Sequence, residues 1–182
     1  MRAAVRRAAA AAGAAAVAPL LASCAAPATD VTLSCRNVDA LILEAQSVPT
    51  ATKLPCVELL PAGWSYGSSD IRSGRAQFRL ASDRAGARAV EVTLTEACDR
   101  QGATEITSDE PGTRRYERVE AVTPGFSGTR YYTFPGGCTS YQFRFEDEGR
   151  VLVNEASLAL TFVTRQFVAE EVRRISKGRS RL

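Results

Sequence analysis

The segment Val90-Glu91-Val92-Thr93-Leu94-Thr95 decides the fold of this chain. Apolar and polar side chains alternate along it without interruption. A period of two places the apolar side chains on one face of a β-strand and the polar side chains on the other. The segment is therefore predicted to be a half-buried strand in an antiparallel sheet that is covered on one face.

The same alternation recurs on both sides of this strand. Residues 76–80 and residues 141–145 place Ala, Phe, Leu or Tyr on one face and Gln or Arg on the other. The run of residues 130–134 is joined to the last of these strands by Pro135-Gly136-Gly137, which favours a hairpin connection. Residues 72–75 similarly predict a tight turn.

Helical patterns flank the predicted strands. Residues 37–45 carry apolar side chains on one helical face, with Asn37 or Asp39 as the candidate N-cap and Pro49 as the stop. Residues 154–163 and 164–175 are also predicted to be helical, with Thr164 as the candidate N-cap of the second helix. This order of elements indicates an α+β domain: an antiparallel sheet of about five to six strands, with an N-terminal helix and C-terminal helices packed on one face.

The N-terminus has the layout of an export signal. Arg2, Arg6 and Arg7 precede an uninterrupted small or apolar stretch over residues 8–21, and Leu21-Ala22-Ser23-Cys24 follows. These last four residues resemble the lipobox of bacterial lipoprotein signal peptides, in which the cysteine is acylated and becomes the mature N-terminus. The resemblance covers residues 1–24 and implies a protein on the extracytoplasmic face of the cell membrane, held there by lipid on Cys24.

Two other interpretations of the N-terminus are weaker. A permanent transmembrane helix needs about 20 apolar residues, and Arg7 and Cys24 enclose only 16 residues. An ordinary cleaved signal peptide would not require a cysteine directly after the cleavage site. The predicted organisation is a signal peptide (1–23), a lipidated cysteine and tether (24–34), one globular domain (35–176) and a basic tail (177–182).

The charge of the chain changes when the signal peptide is removed. Three of the 23 basic residues lie in residues 1–23, which contain no acidic residue, so the mature chain carries 20 basic and 20 acidic residues. The basic character of the precursor is therefore a targeting feature, and we expect no nucleic-acid partner. The basic tail is predicted to be a frayed, solvated terminus, and the alternative is a secondary contact with a membrane or an anionic polymer.

Four cysteines remain when Cys24 carries the lipid. In an exported domain, an even number of cysteines favours disulfide bonds, and four cysteines allow three pairings. The pairing of Cys35 with Cys56 and of Cys98 with Cys138 is favoured, since each bond would close a locally coherent unit. Zinc is the alternative, but the paired C-x₂₋₄-C spacing is absent and the chain has no histidine. We therefore expect no metal and no cofactor.

The absence of histidine also narrows the possible chemistry. It removes the usual general base at neutral pH and any Ser-His or Cys-His nucleophile pair. A hydrolase would have to use carboxylates, or a Ser-Lys pair that includes Lys53 or Lys177, of which Lys177 lies in the tail. The acidic clusters Asp109-Glu110 and Glu146-Asp147-Glu148 lie where turns already favour acidic residues. We therefore predict that both clusters are solvated turns, and we assign no catalytic residue.

Aromatic and arginine side chains are the remaining candidates for ligand contact. Such a set can bind an acidic or glycan ligand by stacking and bidentate hydrogen bonds. The alternative is that the aromatic residues fill the core while the arginines cover the outer sheet face. Tyr131 and Tyr132 must point to opposite faces of one strand, so one of them is expected to be exposed. The candidate contacts are Trp64, Tyr66, Arg114, Arg115, Arg130, Tyr131 and Tyr132.

The sequence therefore predicts a membrane-anchored lipoprotein with a non-catalytic binding or accessory domain. Its expected partners are the membrane, through the lipid anchor, and a protein or glycan of the cell envelope. The alternative is a carboxylate-dependent hydrolase that acts on envelope glycans. Such an enzyme would place two carboxyl groups about 5–10 Å apart in a cleft.

Overall fold

The computed structural model describes residues 31–146, 149–179 and 182. The predicted signal peptide and Cys24 lie outside the described residues, as do Asp147, Glu148 and Arg181. Within the described part of the chain, no helix is both long enough and apolar enough to cross a membrane.

The described residues form an α+β fold, as predicted, with more strands than the five or six expected. The elements are α1 (Val38–Ser47), β1 (Lys53–Val57), β2 (Trp64–Arg72), β3 (Arg75–Ser82), β4 (Gly86–Thr95), β5 (Thr104–Ile106), β6 (Arg114–Ala121), β7 (Phe126–Phe134), β8 (Gly137–Phe145), α2 (Gly149–Ala159), β9 (Leu160–Thr164) and α3 (Arg165–Ile175).

Seven strands form one antiparallel sheet in the order β2-β3-β4-β8-β7-β6-β5. Consecutive strands pair as neighbours except at the centre, where β4 pairs with β8 from Val90 opposite Phe143 to Thr95 opposite Cys138. The side chains of Val90, Val92 and Leu94 are fully buried on the helix-covered face. This outcome confirms the strand predicted from their alternation.

The predicted caps of two helices are confirmed. The Asn37 side chain accepts a hydrogen bond from the backbone N–H of Ala40, and Thr164 accepts one from the backbone N–H of Phe167. These side chains satisfy N–H groups that the first turn of a helix leaves without a backbone partner.

Helix α2 covers the sheet with Leu152 and the neighbouring Ala156.

The helix predicted over residues 154–163 is wrong in its second half. Helix α2 ends at Ala159, and β9 pairs with β1 as a separate two-stranded ribbon. The residues of β9 include β-branched and aromatic side chains, which suit a strand. Phe162 of β9 stacks on Tyr141 and lies edge-on to Tyr132, with ring centroids 6.2 and 5.4 Å apart. Pairing with β1 and packing on the sheet therefore override the local helical pattern.

The first residues of the predicted basic tail close the end of α3. The backbone N–H of Gly178 donates to the carbonyl of Arg173 over 2.9 Å. Lys177 and Gly178 both adopt positive φ angles, which glycine tolerates without strain. Leu182 packs against a core cluster that also contains Val168 of α3.

The four predicted disulfide cysteines form two bonds, in the favoured pairing. Cys35 bonds to Cys56 and joins the segment before α1 to β1, while Cys98 bonds to Cys138 and joins the β4–β5 connection to β8. The second bond lies on the sheet face opposite the helices.

Each disulfide restricts the unfolded chain. We expect that removal of the Cys98–Cys138 bond by the double change Cys98→Ala and Cys138→Ala lowers the free energy of unfolding by about 4 kcal/mol. This bond closes a loop of 40 residues, whereas the Cys35–Cys56 bond closes 21 residues. Denaturant titration of both double variants measures the two losses. Reactive thiols at these four positions in the denatured, unreduced protein would contradict the assignment.

One carboxyl group lies in the core without a partner. Glu44 of α1 is fully buried, and neither of its carboxylate oxygens accepts a hydrogen bond from any described residue. Burial raises the pKa of Glu44 well above its usual range. The domain therefore folds most favourably with this carboxyl group protonated.

We expect Glu44→Met to raise the free energy of unfolding by about 1–3 kcal/mol at pH 7. Methionine has a similar shape but carries no buried polar group without a partner. In the wild type, the stability linked to protonated Glu44 is fully present below the unfolded pKa of about 4.3 and is lost as pH rises through the raised folded pKa. The gain should therefore grow with pH in urea titrations between pH 4 and 8. Glu96→Met, at an exposed position, is the control. Equal effects of the two variants would rule out an energetic cost at Glu44.

Candidate functional site

The predicted ligand contacts do not form one surface. Trp64 is buried, and its indole Nε1 donates to a carboxylate oxygen of Glu155 over 2.9 Å. Tyr66 stacks on Phe78 with ring centroids 5.8 Å apart. Both aromatic side chains therefore belong to the packing of the domain, which was the alternative considered for this set.

The prediction that either Tyr131 or Tyr132 is exposed is wrong. The two side chains point to opposite faces, but their exposed fractions are 4% and 2%. Tyr132 faces the helix-covered core. Tyr131 lies on the other face, where it packs with Tyr116 and Cys138 under the β4–β5 connection. The disulfide at Cys138 holds that connection over the sheet, and this long-range cover is not visible in the local sequence pattern.

Arg114 is exposed and forms two hydrogen bonds with Glu105, at 2.8 and 2.6 Å. It lies at the β5 edge of the sheet and also covers the Tyr116 ring, with its guanidinium carbon 5.6 Å from the ring centroid. This pair is a surface contact of the short edge strand.

Three of the predicted contacts come together on the helix-covered face. Pairing of β6 with β7 sets Arg115 opposite Tyr132 and Glu117 opposite Arg130. Arg130 is 6% exposed. Its Nε donates to Glu117 over 2.7 Å, and its Nη1 donates to the hydroxyl of Ser157 on α2 over the same distance. We call Asp109, Glu110, Arg115, Glu117, Arg130 and Tyr132 the charged cluster.

The acidic turn Asp109-Glu110 completes the charged cluster, so the prediction that it is a solvated turn is only partly correct. Asp109 accepts a hydrogen bond from the Tyr132 hydroxyl over 2.8 Å and forms an ion pair with Arg115 over 3.0 Å. Glu110 accepts a hydrogen bond from the Thr161 hydroxyl over 3.4 Å. The turn therefore connects β9 to the sheet, through Glu110 on one side and Asp109 on the other.

The carboxyl groups of the charged cluster have different protonation behaviour. Burial raises the pKa of Asp109, but the hydrogen bond from Tyr132 and the charge of Arg115 outweigh burial and lower it overall. Burial also raises the pKa of Glu117, and its contacts with Arg115 and Arg130 reverse that effect. For Glu110, burial and the negative charge of Asp109 both raise the pKa.

The polar groups of the charged cluster are largely occupied by one another. Arg115, Glu117 and Arg130 each have an opposite charge as partner, and the Tyr132 hydroxyl donates a hydrogen bond to Asp109. The Tyr141 hydroxyl, in the same aromatic layer, is buried without a hydrogen-bond partner among the described residues. The cluster is thus suited to hold the ribbon and α2 on the sheet rather than to bind a further charge.

The principal cavity lies elsewhere, where β4 and β8 separate. Its volume is about 660 Å³, which lies within the range of small-molecule sites. We call it the fork cavity. It is lined by Ala85, Gly86, Ala87, Arg88, Ala121, Thr123, Pro124, Gly125, Phe126, Ser127, Arg144, Phe145 and Glu146.

A bulge in β4 accounts for the fork cavity. Leu80 of β3 pairs with Val90, but Ser82, two residues later, pairs with Gly86. Two additional residues of β4 are thereby accommodated between those pairs, which bends the strand. Pairing of β4 with β8 ends at Val90 and Phe143, while β8 continues beside β7 to Phe145.

Sequence reasoning missed the fork cavity. The alternation of Phe143, Arg144 and Phe145 predicted a strand, but Arg88 and Arg144 are 56 positions apart in the sequence. Both line the cavity that lies beyond the end of the β4–β8 pairing. No local signal indicates that pairing. Among the described residues, no group of three or more Cys, Asp or Glu side chains is arranged to hold a metal ion.

We expect Glu117→Gln to lower the free energy of unfolding by about 2 kcal/mol at pH 7, because it leaves the buried Arg130 without its opposite charge. The lowered pKa means that the stability contributed by Glu117 is present above its unfolded pKa of about 4.3 and is lost as pH falls through the folded value. The difference between variant and wild type should therefore shrink at low pH. Glu120→Gln alters an exposed ion pair with Arg118 and should change the stability little. A pH-independent difference would contradict an electrostatic role for Glu117.

Comparisons with protein-family models, with curated proteins and with solved structures give no match to this chain. Its function is therefore inferred from its own residues.

Proposed function

We propose that the protein is a lipoprotein of the extracytoplasmic membrane face, anchored through Cys24, whose domain binds a component of the cell envelope without catalysis. The supporting observation is the arrangement of the cysteines. Four of the five cysteines pair with one another in two disulfides, which suits an oxidising compartment. Cys24 is the cysteine left over, and it occupies the lipobox position.

The spacing between the anchor and the domain is short. Val31 is already fixed to the β2 edge, since its backbone N–H donates to Ser69 and its carbonyl accepts from the Tyr66 hydroxyl. Seven residue steps separate Val31 from Cys24, so the domain begins at most about 25 Å from the lipid. The proposed anchor would keep any binding site of the domain close to the membrane surface.

A binding function agrees with the chemistry available in the domain. The chain has no histidine, and the carboxylates that come together in the charged cluster are engaged by arginine or hydroxyl groups. The fork cavity, by contrast, has a largely apolar lining that includes three charged side chains. This composition is typical of a site that binds a ligand.

One observation favours the hydrolase alternative. The pKa of Asp109 is lowered and that of its neighbour Glu110 is raised, which is the pattern of a base and an acid in carboxylate catalysis. An assay for release of soluble fragments from envelope glycans separates the two functions. The binding function predicts no release by the wild type, whereas release that is lost in Glu110→Gln would establish the hydrolase.

We expect Cys24→Ser to abolish membrane anchoring. Two or three acyl chains hold a protein on a bilayer far more firmly than one chain can, at about 0.8 kcal/mol for each buried CH₂. The variant should accumulate as an uncleaved precursor or as a released soluble form, seen by membrane fractionation and gel mobility. Thr32→Ala, which changes an exposed residue outside the lipobox, should behave as the wild type. A Cys24→Ser protein that fractionates and migrates like the wild type would disprove the anchor.

A further inference from the structure

We propose that the fork cavity binds a small amphiphilic anion, with an apolar body and one phosphate or carboxylate group. This proposal rests on the proposed binding function and names the class of ligand. Arg88 and Arg144 hold the charged group, and the apolar lining holds the body.

Arg88 and Arg144 differ from the other strand arginines because they form no ion pair with a carboxylate of the described residues. Nine arginines lie on the strands, and seven of them form an ion pair with a carboxylate. Among the described residues, Arg88 and Arg144 are the two strand arginines without such a partner, and both line the fork cavity. The seven paired arginines are Arg72, Arg75, Arg79, Arg114, Arg115, Arg118 and Arg130.

The two guanidinium groups remain accessible to a ligand. Arg88 and Arg144 are both exposed, and the described contact of the Arg144 guanidinium is one hydrogen bond to the neutral side chain of Gln142, at 3.1 Å. Guanidinium groups bind phosphate and carboxylate through paired, charge-assisted hydrogen bonds. The cavity also contains one carboxylate, Glu146, so its described lining has a net charge of +1.

The remainder of the cavity is suited to an apolar group. Phe126 and Phe145 stack in its wall, with ring centroids 6.2 Å apart. Ala85, Ala87 and Pro124 add further apolar lining. An inorganic anion would leave this surface in water, whereas an anion with a hydrocarbon body would cover it. The proposed anchor places the cavity near a bilayer, which is a source of such amphiphiles.

The chain provides its own reporter for occupancy of the cavity. Trp64 is its single tryptophan, and its ring lies edge-on to Phe145 with centroids 6.3 Å apart. Phe145 is part of the cavity wall, so a bound ligand should change the environment of Trp64. Its fluorescence therefore measures binding without an added label.

The test uses the full chain carrying Cys24→Ser, which removes the acylation site and leaves the domain unchanged. Hexyl phosphate is titrated while Trp64 fluorescence is recorded, and calorimetry gives an independent dissociation constant. Hexanol and inorganic phosphate are the matched probes that lack the charge or the apolar body. We expect hexyl phosphate to bind at least about tenfold more tightly than either.

Variants locate the binding in the cavity. Arg88→Ala and Arg144→Ala should each weaken hexyl phosphate binding about tenfold, whereas Arg36→Ala, at an exposed arginine outside the cavity, should not. Ala87→Glu adds a carboxylate to the cavity lining and should abolish binding, while Ala87→Gln has nearly the same size and should retain it. Glu146→Gln should strengthen binding, because it removes the negative charge from the lining.

Three results would overturn the proposal: no binding of hexyl phosphate, equal binding of hexanol or inorganic phosphate, or equal affinity in Arg88→Ala, Arg144→Ala and Arg36→Ala. Because the anchoring cysteine is absent from every protein in this test, such a failure would leave the proposed membrane anchor intact. Conversely, a Cys24→Ser protein that fractionates like the wild type would disprove the anchor. Ligand binding in the cavity could still be measured and would be judged separately.

Discussion

The pairing of β4 with β8 is the constraint on which the rest of the structure depends. It joins strands that are separated by 41 residues, whereas the other neighbours in the large sheet are consecutive along the chain. Without it, β2–β4 and β5–β8 would be two small sheets, each with an uncovered apolar face. The Cys98–Cys138 disulfide lies beside the last pair of this ladder, Thr95 opposite Cys138. A covalent bond thus supports the one pairing that local hairpins cannot supply.

The same pairing determines where function can lie. Where the ladder is intact, valine, leucine and aromatic side chains are buried in the core. Where the β4 bulge ends the ladder at Val90, the two strands separate and the fork cavity opens. The distribution of charge agrees with this division. Arg130 forms an ion pair with Glu117 inside the domain, whereas Arg88 and Arg144 have no carboxylate partner among the described residues and line the cavity.

The sequence predicts the local elements well, because a period of two along residues 90–95 and the capping side chains of Asn37 and Thr164 act within a few residues. It fails where distant segments decide the outcome. β9 is a strand because β1 and the sheet are available to it, and Tyr131 is buried because Cys138 holds a connection over it. The even number of cysteines predicted disulfides, and the favoured pairing is confirmed.

The candidate site is predictable only in part from the sequence. The sequence predicts ligand contacts at Arg115, Arg130 and Tyr132, and these residues do lie together. Their hydrogen-bonding groups, however, are occupied by neighbouring side chains. The sequence does not distinguish the arginines of the fork cavity from the other strand arginines. They differ from the others only because no carboxylate of the described residues forms an ion pair with them in the folded domain. Unpaired charge is a property of the folded domain and is not encoded in residue type or spacing.

The most direct test of this account is an NMR titration of the arginine side chains. The Nε–H resonances of the folded, disulfide-bonded chain are followed while hexyl phosphate is added. The account predicts that the resonances of Arg88 and Arg144 shift and saturate together, while those of the seven ion-paired strand arginines stay in place. Saturable shifts at Arg115 and Arg130, or equally small shifts at all nine, would contradict the assignment of the binding site to the fork cavity.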